Sequence, residues 1–318
     1  MSGTVPELSI VVPCFNESEA LPTTLARILA VAERLSVAGF EIIIVDDGST
    51  DTTASIIDAA SSEHHSIVGV FLSRNFGHSA AVCAGIATAK GSAVILIDAD
   101  LQDPPELIEQ YVEQWRAGAQ VVYGVRRSRN GETAFKLATA ALYYRLLQRL
   151  SDVPIPRDTG DFRLMDRCVV DALLTLPEKE RFVRGLVAWV GFRQVGVEYD
   201  RAARMAGESK YPLRKMLRFA VSGILSFSSV PLRAASWIGF ATCGVSVIGI
   251  VYALFQRLAL RSTVPGWAAT FIAVLFLAGV QLLTVGIIGE YLAKVFTEVK
   301  QRPQYIVARQ TVKRGSTR

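Results

Sequence analysis

Five short apolar runs rich in β-branched residues mark the first 125 residues: LSIVVPCF, EIIIVDDG, VGVFLSR, AVILIDAD and QVVYGVR. Between them lie Glu19–Ser36, Thr52–Ala60, Ser79–Ala89 and Pro105–Ala117, where apolar positions recur at helical spacing. Continuous apolar runs predict strands covered on both faces, and their alternation with helices predicts βαβ units. The expected class is α/β, with a Rossmann-like, mostly parallel sheet and helices on both faces. Ligands of such sheets bind beyond the carboxyl ends of the strands. Polar residues gather at those ends here: Asn16–Glu17, Asp46–Asp47, Arg74–Asn75, Asp98–Asp100 and Arg126–Arg127.

Past Arg127 the pattern changes. GETAFKLATAALYYRLLQRLSD has helical spacing with Lys136, Arg145 and Arg149 on it. A surface helix packed on the sheet and a membrane-interface helix near 134–150 both fit it. DTGDFRLMDR and QVGVEYDRAAR read as further strands, ERFVRGLVAWVG as a short helix, and residues 212–232 as a juxtamembrane amphipathic helix. Ala234 to Gln256 is then a run of 23 residues without a charge, and Ser262 to Gly289 a run of 28. Each is long enough to cross a hydrocarbon core of about 30 Å as a helix. The expected organisation is an α/β domain over 1–211, spans over 233–257 and 264–292, and a basic tail over 293–318.

Charge refines this picture. The net charge is +5, but residues 1–120 hold 5 Lys/Arg against 16 Asp/Glu, a net of −11. Residues 121–318 hold 29 against 13, a net of +16. The basic residues flank the spans, whereas the hairpin between them offers only Arg257 and Arg261. The positive-inside rule then places the large domain and both termini in the cytoplasm; the expected location is the inner (plasma) membrane, as a multi-pass chain. Nucleic-acid binding is disfavoured, because the cations form no stripe interleaved with aromatics. MSGTVPELSIVVPCF lacks the basic and apolar regions of a signal peptide. Cys14, Cys83, Cys168 and Cys243 form no CxxC pair, which predicts reduced thiols. Gly239, Gly244, Gly249, Gly286 and Gly289 leave room for homo-oligomer packing through the spans.

The candidate chemistry lies in VILIDADLQDPPELI. Asp98 and Asp100 end a buried strand, and such carboxylates are hard oxygen ligands suited to Mg²⁺ or Mn²⁺ together with water and phosphate oxygens. Asp103, Pro104, Pro105 and Glu106 read as the start of the next helix. In IIIVDDGSTDTT, Asp46 and Asp47 could accept from a ribose or a base, while Thr50 or Asp51 caps the following helix. The first strand is followed by VVPCFNESEALP without a GxGxxG, so a dinucleotide site is disfavoured.

VVPCFNE, VDDGSTDTT, SRNFGHSAA, LIDADLQDPPE, DTGDFRLMDR and GESKYP occur in the order found in family 2 inverting glycosyltransferases of the GT-A fold. Across its whole length the chain resembles their polyisoprenyl-phosphate branch, the dolichol-phosphate mannose synthases and bactoprenol glucosyltransferases. The resemblance implies that Asp98 and Asp100, with Gln102, hold the metal on a nucleotide-sugar diphosphate. It implies that Asp47 contacts the nucleoside, with Pro13, Phe15 and Glu17 beside it and Asp46 adjacent. Arg126 and Arg127 would bind the donor diphosphate or the acceptor phosphate. Arg204, Ser209 and Lys210 would close over the diphosphate, and guanidinium forks suit phosphate oxygens. Asp158 and Asp161 both qualify as the base, with Asp161 favoured and Asp158 in support. A phosphomonoester acceptor is already anionic near neutrality (second pKa about 6), so it needs positioning more than deprotonation.

The expected reaction is therefore transfer of one sugar, foremost glucose from UDP-glucose, to a polyprenyl (undecaprenyl) phosphate with inversion. The QxxRW of processive polysaccharide synthases is absent. Another donor, GDP-mannose or a UDP-amino-arabinose derivative, stays open, as does a non-catalytic membrane partner that binds nucleotide-sugar.

Overall fold

The first four apolar runs become β1 (Leu8–Cys14), β2 (Phe40–Asp46), β3 (Ile67–Leu72) and β4 (Ala93–Leu96). They pair in parallel, with β1 between β2 and β4 and β3 outside β2. Four more strands complete the sheet: β5 (Val121–Arg126), β6 (Thr159–Asp166), β7 (Gln194–Tyr199) and β8 (Val307–Gln310). The order is β7-β5-β6-β4-β1-β2-β3-β8. β6 runs antiparallel to β4 and β5, and β8 antiparallel to β3, while β7 joins β5 in parallel. The architecture comes from a computed structural model that describes residues 5–126, 159–178, 183–200, 230–259 and 266–311.

Strand alternation gives the sheet two apolar faces. Ile10, Val12, Ile42, Ile44 and Ile95 share one cluster with Leu21, Leu25 and Ile28 of α1 (Leu21–Arg34), Ile57 of α2 (Thr53–Glu63), and Ile108 and Tyr111 of α4 (Leu107–Arg116). The other face meets α3 (His78–Thr88), whose Gly85 lies so close that a Cβ there would sit 2.2 Å from Val11 Cγ1. Cys83 and Ile86 of α3 face Leu173 of α5 (Arg167–Thr175) and Leu186 of α6 (Val183–Trp189) across a small apolar pocket. Helices thus cover both faces. Each large aliphatic side chain buried this way contributes about 1.5–3 kcal/mol.

The chain divides into two units, Met1–Gln148 with Val153–Leu213 and Pro303–Arg318, and Arg149–Asp152 with Arg214–Arg302. The second contains α7 (Val230–Ala259) and α8 (Trp267–Val299), which pack on each other. At about 1.5 Å per residue they are about 45 and 50 Å long, more than a hydrocarbon core requires. Their apolar stretches, Leu232–Gly249 and Ile272–Val299, are almost wholly exposed, as at Trp237, Phe240 and Leu282. A core helix of a water-soluble protein would bury such residues. α8 runs past the expected end at 292 because Leu292, Lys294 and Glu298 are good helix formers, and a charge ends a hydrophobic run without ending a helix.

The tail departs from expectation in one respect. Val307–Gln310 returns to the sheet as β8, outside β3. Arg309 reaches both oxygens of Asp58 at 2.7 Å and lies 3.5 Å over the Phe71 ring, and Thr311 exchanges two hydrogen bonds with Gly69. β8 therefore covers a strand edge that would otherwise stand open.

Candidate active site

Sheet direction decides what meets at the crevice. β6 runs against its neighbours, so its start lies at the same sheet edge as the end of β4. Leu96 pairs with Arg163. Carrying that register two places further sets Asp98 opposite Asp161. α3 starts at the same edge, and His78 Nε2 stands 3.7 Å from Asp98 Oδ1 and 3.5 Å from Asp161 Oδ2. Arg184 of α6 grips Asp161 with two hydrogen bonds, Nε to Oδ1 at 2.6 Å and Nη2 to Oδ2 at 2.7 Å. Arg163, buried behind, donates to the carbonyls of Gly160 and Asp161 and fixes the backbone there.

These groups polarise one another. Burial pushes the Asp98 carboxyl up to about 6; His78 opposes this, while Asp161, Asp100 and Asp103 add repulsion. Burial also raises Asp161, but hydrogen bonds from Arg184 and His78 win and hold it well below the usual carboxylate range. For His78, burial lowers the imidazole, yet the neighbouring Asp161 and Asp98 leave it raised.

Asp98 Oδ1 is shielded from solvent and receives no hydrogen bond. A shielded, donorless carboxylate oxygen is costly unless a cation meets it, and His78, 3.7 Å away, meets it only in part. Asp100 Oδ1 accepts the Gln102 N–H at 3.2 Å, which bends the loop. Leu101 between them is buried with φ of 55°. A branched residue in that region stores about 1–3 kcal/mol of strain, which is characteristic of functional loops. Among the described residues no three Asp, Glu, His or Cys side chains converge to cage a metal. The set instead suits a hard cation that keeps water and substrate oxygens in its shell.

The other acidic strand end is built differently. Asp47 accepts from the N–H of Phe76 at 2.7 Å and of Gly77 at 2.8 Å, and Asp46 accepts from Ser49 N–H at 3.1 Å. Asp47 is 2 % exposed; burial raises its carboxyl and the two N–H bonds work against that. Its carboxylate thus holds the loop at 76–77. Asp51 does cap α2 through Thr53 N–H, and it also accepts from Ser18 N–H.

Phe15 is 44 % exposed just beyond β1, and Glu17 is half-buried with its N–H on Thr53 Oγ1. Pro13 is buried within β1. Val11 accepts from Ile97 N–H, so by alternation Pro13 also faces the β4 side, past the last β1–β4 pair at Val11. Asp103 does not cap a helix: it is buried and accepts from the Tyr199 hydroxyl. α4 starts later, at Leu107, and Glu106 instead pairs with Arg27 at 2.7 Å. Arg126 closes β5 opposite Tyr199. Its side chain, together with Arg127, Asp158, Arg204, Ser209, Lys210 and the segment 134–150, lies outside the described residues.

His78 and Arg184 carry much of the site, and neither was anticipated. His78 had a signal, since it lies within SRNFGHSAA and apart from the His64–His65 pair. Arg184 had none, because only the packing of α6 brings it to Asp161.

Carboxylates gathered at one strand edge beside His78 and Arg184 make a candidate site, and comparison with known proteins supplies its class. Residues 9–174 match the Glycosyl transferase family 2 profile. The chain belongs to that family. It is 40% identical to the bactoprenol glucosyl transferase of Shigella phage SfII, over 95% of this chain and 97% of that protein. It is 48% identical to an uncharacterized glycosyltransferase of Synechocystis, over 95% of each chain, and 46% identical to one of Bacillus subtilis, over 95% and 93%. Among solved structures, glucosyl-3-phosphoglycerate synthase from Mycobacterium tuberculosis aligns with a TM-score of 0.46 at 24% identity, covering 70% of this chain and 79% of that one.

Proposed function

We propose that the protein transfers one glucose from UDP-glucose to a polyprenyl phosphate with inversion, giving polyprenyl-phosphate-glucose. The carrying observation is the Asp98 oxygen that is shielded and without a donor, in a chain 40% identical along nearly its whole length to a bactoprenol glucosyl transferase. Asp98 and Asp100, with Gln102 beside them, would hold Mg²⁺ or Mn²⁺. When bound, such a cation supplies countercharge to the departing diphosphate.

The remaining work falls to the chain. The acceptor phosphate oxygen attacks the anomeric carbon in line as the bond to UDP breaks. The acceptor is already anionic, and Asp161 is held ionised by Arg184, so Asp161 orients His78 and shapes the field instead of taking a proton. Arg126, Arg127, Arg204, Ser209 and Lys210 are assigned to the phosphates of donor and acceptor. The two apolar helices keep the enzyme at the bilayer where the lipid tail must stay, with the catalytic domain and both termini on the cytoplasmic side.

The test is incubation of purified protein with Mn²⁺, UDP-[¹⁴C]glucose and undecaprenyl phosphate. Label should enter the lipid phase, and chelation should stop it. Absence of lipid label with every nucleotide-sugar tried, GDP-mannose and UDP-amino-arabinose donors included, would sink the proposal.

A further inference from the structure

The loop from Asp98 to Asp103 is fastened at two points by residues that stand outside the crevice. Near its start, Thr24 of α1 donates its hydroxyl to the Ala99 carbonyl at 2.7 Å, sharing the proton with Ala20 O at 2.9 Å. Thr24 is wholly buried. At its end, Tyr199 of β7 donates its hydroxyl to Asp103 Oδ1. The Tyr199 ring crosses β5 at Gly124, where a Cβ would meet Tyr199 Cε1 at 2.6 Å and Tyr111 Oη at 2.7 Å. Between the two fastenings lie only Asp100, Leu101 and Gln102, with Leu101 at φ 55°.

A short loop holds a residue in that conformation only where its surroundings over-determine it. Asp98 and Asp100 can serve as paired cation ligands only if their separation is set before the cation arrives, since Mg²⁺-type ions tolerate little angular error. Both fastenings act on backbone or side chain next to these two residues, and neither touches a carboxylate proposed to hold the metal.

We propose that Thr24 and Tyr199 are positioning residues that set the geometry of the metal loop, and that losing either hydroxyl weakens divalent-cation binding more than it weakens the fold. The proposal rests on the reading of Asp98 and Asp100 as the cation-holding pair.

The experiment uses the full chain in detergent. Mn²⁺ binding in the presence of UDP is followed from the electron paramagnetic resonance signal of free Mn²⁺, for the wild type, Tyr199→Phe, Thr24→Val and Thr24→Ser. Unfolding midpoints without metal are measured in parallel. Tyr199→Phe and Thr24→Val should each raise the Mn²⁺ dissociation constant about tenfold or more, and Thr24→Ser should stay near wild type. If folded Tyr199→Phe and Thr24→Val bind Mn²⁺ as tightly as wild type, with only the midpoints lowered, the residues are structural and the inference is overturned. Should Tyr199→Phe not fold, the Thr24→Val and Thr24→Ser pair decides by the same criterion. A wild type that binds no Mn²⁺ refutes instead the metal assignment beneath it.

Discussion

The two strands that flank β1 in the sheet both end in paired acids, and the fold treats them in opposite ways. At the end of β2, Asp46 and Asp47 are turned inward and met by backbone N–H groups from Ser49, Phe76 and Gly77. At the end of β4, Asp98 keeps a shielded oxygen with no donor, and burial lifts its carboxyl to about 6. Internal donors turn the β2 carboxylates into scaffolding, whereas the Asp98 oxygen, met only at 3.7 Å by His78, is left open to the cation proposed above. Charge alone does not separate the two cases; the supply of N–H groups does.

The largest expected effect tests that division directly. Asp98→Asn should lower glucosyl transfer about a thousandfold or more, since it weakens charge stabilisation where the diphosphate departs. Asp47→Asn should instead act on stability, because its amide can accept only one of the two N–H groups. The cost is about 1–3 kcal/mol, with activity per folded molecule kept within about tenfold. Initial rates and unfolding midpoints on the same preparations check both. Near-total loss of activity in Asp47→Asn at unchanged stability would erase the distinction.

Next in size is a substitution that attacks the β2 end through its backbone. Gly48 has φ of 70°, and a Cβ there would lie 2.5 Å from the Arg74 carbonyl carbon and 2.7 Å from Asn75 N. Backbone cannot yield as a flexible side chain does. Gly48→Ala should therefore cost about 3 kcal/mol or more. Thermal unfolding in detergent reads this, and a change under about 1 kcal/mol would show that the β2 turn is looser than its packing implies.

Much of this was legible in the chain. β1 to β4 are runs with hardly a polar interruption, so period and length alone identified them, and the two apolar helices followed from uncharged length. Asp98 and Asp100 stood out because two acids just beyond a buried strand have few structural uses. What escaped was long-range. Nothing local in TGDFRLMD says that it runs against its neighbours, yet that reversal brings Asp161 to Asp98. Arg184 lies in a short helix whose apolar spacing says only that it packs. IVARQTV looks like a tail because an edge strand with alternating polar residues needs only one partner, and β3 supplies it. The donors that hold Asp47 escaped for the same reason, since they come from a loop about thirty residues away.

The smallest effect expected concerns what Asp98 costs when no cation is present. Its folded value of about 6 lies above the ordinary 3.8. The folded state therefore holds this proton more tightly than the unfolded chain does. Its contribution to stability is fully present below about pH 4 and is lost as pH rises to about 6 and beyond. Asp161 runs the other way: its depressed carboxyl adds stability above the ordinary value, lost only as pH falls through its own lower one. Between about pH 4.5 and 7.5 the Asp98 contribution should then decide the difference between wild type and Asp98→Asn. In chelator, Asp98→Asn should match the wild type near pH 4.5 and exceed it by about 2 kcal/mol at pH 7.5. His78 is held raised by Asp161, which the substitution leaves in place, and by Asp98, so Asp98→Asn also loosens part of the hold on its proton. Adding Mn²⁺ at pH 7.5 should stabilise only the wild type and so narrow or reverse the ranking. Thermal unfolding across this pH range, with chelator and with Mn²⁺, checks each step. A difference that stays flat with pH would mean that the β4 carboxylate, like its β2 counterpart, is satisfied from within.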